Sequence, residues 1–167
     1  MTEIKAIITD LDGTLLKDDK TISDYSERVL KKCREHGIIV MAATARPERT
    51  IRKYHEQIGF DAVTVLNGAN IFIGGRLIER GIPEKDGVAV ISGIMTLGNH
   101  IISIETDKGI FSDVYIPEWD TAVYNGFPYL PEGVSLYKIL VNGSDKELKE
   151  CVERSMTENT YYTVAQN

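Results

Sequence analysis

Cysteine is scarce. The 167 residues hold two, Cys33 and Cys151, far apart and in no CxxC or Cys/His ligand pattern. That argues against a disulfide framework or a zinc module and for reduced core thiols. His36, His55 and His100 are isolated, and no chemistry is assigned to them. No apolar signal segment precedes the first strand pattern and no later run approaches a membrane span, so the expected location is the cytoplasm. Positive charge is in deficit, with 19 Lys and Arg against 25 Asp and Glu and a net charge of -6. Neither nucleic acid nor an anionic membrane is attracted over distance by such a chain, although a small anionic ligand suits a site with local positive charge. Internal repeats, low-complexity tracts and long flexible linkers are absent. What is there is an ordinary globular composition, long enough to bury a core as one domain or two small ones.

Ile4 to Thr9 is a nearly continuous apolar run, the pattern of a strand covered on both faces. It ends in Asp10-Leu11-Asp12-Gly13-Thr14. Positions i and i+2 of an extended chain share one side, so both carboxylates are expected to face one pocket at a sheet edge. A hard oxygen-seeking ion such as Mg²⁺ would relieve their repulsion. Asp12-Gly13 also reads as a simple polar turn.

A helix is expected from near Ser23, capped by Thr21 or Ser23, with Ile22, Tyr25, Val29 and Cys33 near one face and Gly37 as its stop. Ile38 to Ala43 reads as a second strand. The turn Thr44-Ala45-Arg46-Pro47 opens another helix with Pro47 at its first position, Ile51, Tyr54 and Ile58 at helical spacing, and Gly59 at its end. Ala62 to Leu66 is a third strand, followed by Asn67-Gly68-Ala69-Asn70. Alternating strands and helices predict an α/β fold with a parallel sheet and right-handed crossovers. Ligands of open parallel sheets bind outside the carboxyl ends of the strands, which here carry Asp10 and Asp12, Thr44 and Arg46, and Asn67. The helix from Pro47 turns its N-terminal amides to the same rim, which suits phosphate. Taken singly, Thr44 is a helix cap, Asn67-Gly68 a tight turn and Arg46 a solvated charge. Their coincidence at one edge is what points to a site.

Beyond Ile71 the pattern changes. A hairpin is expected around Gly74-Gly75, a helix weakened by Gly87 and Gly93 over Pro83 to Leu97, and strands at His100 to Glu105, Ile110 to Ile116 and Leu136 to Val141. Ser144-Asp145-Lys146-Glu147 reads as a capping box for a helix to about Ser155, and Thr160 to Val164 as a final strand. The chain thus divides into residues 1–80, a Rossmann-like core, and residues 81–167, an α+β unit. Phe111, Tyr115, Trp119, Tyr124, Phe127 and Tyr129 crowd one part of the second unit, as its small core or as a lid over the rim.

Asp10-Leu11-Asp12-Gly13-Thr14-Leu15-Leu16, Thr21-Ile22-Ser23, Gly37-Ile38 leading into Ala43-Thr44-Ala45-Arg46-Pro47, and Asn67-Gly68-Ala69 together resemble the haloacid dehalogenase superfamily, specifically its Cof-type sugar-phosphate phosphatases. The match is close over residues 4 to about 80, and the second half is similar to that group's cap domain. The resemblance implies a Mg²⁺-dependent hydrolase of a small phosphorylated metabolite. Asp10 would be the nucleophile and Asp12 the acid and base. Mg²⁺ would be held by the Asp10 side chain and the Asp12 backbone carbonyl. Thr44, Ala45, Arg46 and Asn67 would be substrate or phosphate contacts. Family members also return to the core after the cap with a phosphate-binding lysine and an acidic metal segment. Neither occurs before Asn167, so the expectation is a chain truncated after the cap, with an incomplete core. That expectation leaves a rival reading, a catalytically impaired fragment that binds a phosphorylated ligand or a partner protein; a phosphoacceptor signalling domain is a second rival. An unpaired edge beside the Asp10 strand also predicts self-association.

Overall fold

The structure is a computed structural model that describes residues 3–157, 160 and 162. The chain forms two compact units, Met1–Arg80 and Gly81–Asn167. The first contains β1 (Ala6–Thr9), α1 (Asp24–Glu35), β2 (Ile39–Ala43), α2 (Glu48–Ile58), β3 (Ala62–Val65), β4 (Asn70–Ile73) and β5 (Arg76–Glu79). Its sheet runs β1-β2-β3-β4-β5. The first three strands are parallel, while the glycine-turned hairpin adds β4 antiparallel to β3 and β5 antiparallel to β4.

The helices start and stop where local chemistry dictates. Ser23 caps α1 by accepting the Ser26 N–H at 3.1 Å, which satisfies one orphan donor of the first turn. Pro47 is extended, with φ -74° and ψ 155°. It therefore precedes α2 as its cap instead of occupying the first helical position, because a turn out of β2 must be completed before the helix can begin. Ile51, Tyr54 and Ile58 bury one stripe of α2. Gly59 ends it at φ +72°, a left-handed conformation that glycine adopts without steric cost. Gln57 donates to Glu27 at 2.6 Å and ties α2 to α1.

Val40, Ala42, Val63 and Val65 are buried on one face of this sheet. The opposite face differs from the expectation of a doubly covered first strand. Ile8, Ile39, Ile73 and Ile78 remain 65, 49, 48 and 46% exposed. The reason is positional: β1 is an edge strand, and α1 and α2 lie together, so no element of the first unit covers the second face.

The second unit comprises α3 (Glu84–Leu97), β6 (Ile102–Thr106), β7 (Gly109–Ser112), β8 (Ala122–Val123), β9 (Leu136–Val141) and α4 (Lys146–Ser155). Its sheet order is β8-β7-β6-β9. Val90, Ile91, Ile94, Ile102, Ile104, Leu136 and Leu148 form its core. The helix expected to be weak is a full 14-residue element. Its glycines explain why. A Cβ at Gly87 would meet the Leu136 side chain, and one at Gly93 would lie 3.0 Å from the Cys151 sulfur. Close approach to β9 and α4 thus offsets a propensity cost of about 1 kcal/mol per glycine. The second expected strand stops at Ser112, beyond which Thr121 accepts the Ile116 N–H and donates to the Val114 carbonyl, holding a loop. Asp145, one residue after the expected start of the capping box, caps α4 by accepting the Leu148 N–H at 2.9 Å.

Phe111, Tyr124 and Phe127 meet edge to face at centroid distances of 6.1 and 5.3 Å, while Tyr115, Trp119 and Tyr129 are exposed. The aromatic cluster is therefore part core and part surface. Both cysteines are free. The strand expected at Thr160 to Val164 falls largely outside the described residues. Among those residues no helix is long and apolar enough to cross a membrane.

Candidate active site

The carboxyl ends of β1, β2 and β3 lie side by side. Thr9 pairs with Ala42 and Ala43 with Thr64, so Asp10, Thr44 and Leu66 follow the last paired residues at one rim. After Asp10 the chain makes a wide turn. Leu15 N–H bonds the Asp10 carbonyl at 3.3 Å and Leu16 N–H the Leu11 carbonyl at 2.8 Å. Gly13 supplies the left-handed residue at φ +69° that this turn requires. Leu11, fully buried, anchors the turn, and an antiparallel bridge from Leu16 to Ile22 closes the charged loop between them.

Both strand-end turns are tied together through backbone. Leu66 N–H donates to the Arg46 carbonyl at 3.0 Å and Asn67 N–H to the Thr44 carbonyl at 3.2 Å. To make these bonds Leu66, Asn67 and Gly68 all take positive φ, at 52°, 57° and 100°. For Leu66 this is uncommon backbone, of the kind that clusters at functional sites. The Thr44 hydroxyl is buried and accepts the Arg46 N–H at 3.2 Å, which leaves its own proton for another acceptor.

Asp12 and Arg46 are brought into direct contact. Arg46 Nε donates to Asp12 Oδ2 at 2.5 Å and Nη2 to Oδ1 at 2.7 Å, a bidentate fork. Lys20 Nζ adds a third bond to Asp12 Oδ1 at 2.9 Å. These groups hold the Asp12 carboxyl far below the usual carboxylate range. The Arg46 hydrogen bonds dominate, partial burial opposes them, and Lys20 adds to the lowering. Asp12 is consequently ionised. Asp10 is exposed, and its carboxylate makes no side-chain hydrogen bond or ion pair among the described residues. Ala45 and Asn67 are exposed at the same rim.

Lys20 and Tyr54 were not singled out by sequence. Lys20 sits in a charged loop and Tyr54 on the apolar stripe of α2, so each carries an ordinary structural signal. The apolar pair Leu16 and Ile22, which brackets the loop and brings Lys20 back to Asp12, is the trace that sequence alone carries.

A profile of the haloacid dehalogenase-like hydrolases matches residues 7–166. The chain belongs to the haloacid dehalogenase-like hydrolase family. Among relatives in this family, the 5-amino-6-(5-phospho-D-ribitylamino)uracil phosphatase YcsE of Bacillus subtilis (strain 168) is 30% identical over 91 residues, 53% of this chain and 36% of its own. YitU, a phosphatase of the same name from that organism, is 42% identical over 64 residues, 38% of this chain and 24% of its own. The matched part thus spans little more than a third of the length of these relatives at most. A haloacid dehalogenase-like hydrolase from B. subtilis superposes with a TM-score of 0.72 at 24% identity, over 90% of this chain and 65% of that one. That likeness establishes the haloacid dehalogenase α/β fold.

The family implies a divalent metal. Among the described residues no three His, Cys, Asp or Glu side chains cluster as a closed metal site. Asp12 commits both oxygens to Arg46 and Lys20, whereas Asp10 offers a solvent-facing carboxylate. One carboxylate with water and substrate phosphate is a donor set that suits Mg²⁺, which dehydrates reluctantly and is seldom caged by protein. The residues present fit that ion.

Proposed function

We propose that this chain carries the nucleophile and acid–base residue of a Mg²⁺-dependent phosphatase acting on a small phosphorylated metabolite, a sugar or polyol phosphate. The observation that carries this reading is the pairing at one strand end of a solvent-facing Asp10 with a cation-held Asp12. The names of the B. subtilis relatives, phosphatases of a ribityl phosphate, support the substrate class.

Asp10 attacks phosphorus as the ester P–O bond breaks, and the leaving oxygen takes a proton from Asp12. Water then attacks the aspartyl phosphate while Asp12 takes that water's proton back, releasing inorganic phosphate and free Asp10. Asp12 in its resting, ionised form suits the second half of this cycle. For the first half it must be protonated, which becomes easier when substrate oxygens draw Arg46 away. Thr44 donates to a phosphate oxygen through its available hydroxyl proton, and the N–H of Ala45 together with Arg46 and Asn67 completes the contacts. Mg²⁺, held by the Asp10 carboxylate and the Asp12 carbonyl, would offset phosphate charge. Residues 81–167 serve as the cap in this reading.

Phosphate release from a panel of sugar and polyol phosphates tests the proposal. Turnover is expected with Mg²⁺ and its loss with a chelator. Absence of turnover across the panel, with Mg²⁺ or phosphate-analogue binding retained, would favour a non-catalytic binder. The commitment of both Asp12 oxygens to Arg46 and Lys20 is what favours that second reading.

The exposed β1 edge supports self-association. Ile4, Ala6 and Ile8 lie on one side of it, and antiparallel two-fold pairing about Ala6 sets Ile4 and Ile8 of the two copies against each other. Sedimentation equilibrium is expected to show a dimer that Ile8→Lys dissociates; a monomeric parent chain would rule the pairing out.

A further inference from the structure

We propose that Lys20 and Arg46 form an anion clamp, organised by Tyr54, in which the Asp12 carboxylate holds the place that the phosphate of a bound ligand takes. This rests on the phosphatase reading and deepens it, because it assigns the ligand's anionic group a pair of cations.

Arg46 and Lys20 come from different elements and converge on one carboxylate. The guanidinium reaches it with two bonds of 2.5 and 2.7 Å and the ammonium with one of 2.9 Å. A bidentate guanidinium fork fits carboxylate and phosphate oxygens equally well. One carboxylate cannot neutralise two cations, so the trio keeps a net positive charge. A phosphate dianion brings more charge and more acceptor oxygens than the side chain it would displace. Lys20 and Asp12 are half exposed. Ligand therefore has access from the Lys20 side, where the ion pair is exposed and a weak competitor, while Arg46 is 23% exposed and its fork holds Asp12 more firmly.

Tyr54 makes the convergence specific. It is 2% exposed. Its hydroxyl donates to the Lys20 carbonyl at 2.9 Å, and its ring lies 5.8 Å from Arg46 Cζ. One buried side chain of α2 thus fixes the backbone that carries the first cation and supports the plane of the second. Lys20 is held at φ +60°, an unusual conformation for lysine, and the Leu16–Ile22 bridge closes the loop below it. Exchange frees Asp12 for proton transfer and seats phosphate between the two cations. Lys20 and Arg46 are anion-binding residues in this account, and Tyr54 is a positioning residue.

Calorimetric titration of the full chain with inorganic phosphate tests the clamp without turnover. Lys20→Gln is expected to weaken phosphate binding about tenfold, Lys20→Arg to keep it within about threefold, and Tyr54→Phe to weaken it about threefold. Asp12→Asn removes the rival carboxylate and is expected to tighten binding about threefold, a gain that shrinks in the Asp12→Asn/Lys20→Gln double variant because the sites are coupled. Unchanged melting of Lys20→Gln, together with recovery in Lys20→Arg, separates a lost clamp from a misfolded chain. Phosphate affinity in Lys20→Gln within twofold of the parent, or weaker binding in Asp12→Asn, would overturn the proposal. A chain that shows this binding pattern yet hydrolyses no phosphoester keeps the clamp and loses the phosphatase reading.

Discussion

Asp10→Asn is expected to lower phosphate release by at least about 10³-fold, because an amide is a poor phosphoryl acceptor and removing a nucleophile leaves the catalysis due to binding and electrostatics alone. The substitution is close to isosteric. Asp10 is exposed and has no side-chain bond among the described residues, so folding stability should stay within about 0.5 kcal/mol of the parent. The two readouts belong together. Steady-state hydrolysis of a polyol phosphate measures the first and urea unfolding the second. A rapid quench with labelled substrate should trap acid-stable label on the parent chain and none on Asp10→Asn. Equal turnover in the two proteins would remove Asp10 from the nucleophile role, and a destabilised variant would mean that the carboxylate has a structural partner.

Ile104→Ala should be strongly disruptive in the second unit. Ile104 is fully buried at the centre of β6, between Phe111 of β7 and Ile139 of β9. Deleting its side chain removes transfer free energy and leaves a cavity that strands paired on both sides cannot collapse into, a combined cost of about 2–5 kcal/mol. Against a typical domain stability of about 5–15 kcal/mol this is a large share. A urea titration should show a lower midpoint with an unchanged slope. Tyr25→Ala, at a side chain 71% exposed, serves as the comparison and should shift stability by no more than about 0.5 kcal/mol. A loss below about 1 kcal/mol in Ile104→Ala would contradict the assigned core.

The rim was legible because strand periodicity locates strand ends, and the ends of parallel neighbours must lie together. Asp10, Asp12, Thr44, Arg46 and Asn67 needed no more than that to be placed side by side. The helices were legible from Ser23, Gly37 and Gly59, whose capping chemistry is local. Less was readable where tertiary packing outweighs local preference. Gly87 and Gly93 read as weaknesses of α3, yet both stand where a neighbouring element comes close. Lys20 carried no readable signal, because its position beside Asp12 depends on a left-handed backbone and on the hydroxyl of Tyr54 in α2. An apolar first strand likewise implied two covered faces, whereas coverage depends on which elements stand beside it.

The turn after β3 has a consequence for handedness. Leu66, Asn67 and Gly68 run in succession through backbone that L-residues resist, at about 1–2 kcal/mol for each residue bearing a Cβ. The turn is therefore locally mirror-imaged within a chain of uniform chirality. A D-amino acid, which would break any neighbouring strand, is the residue whose intrinsic preference this backbone matches. At Leu66 and Asn67 the protein retains the disfavoured enantiomer, because the bonds to Arg46 and Thr44 leave the main chain no other path.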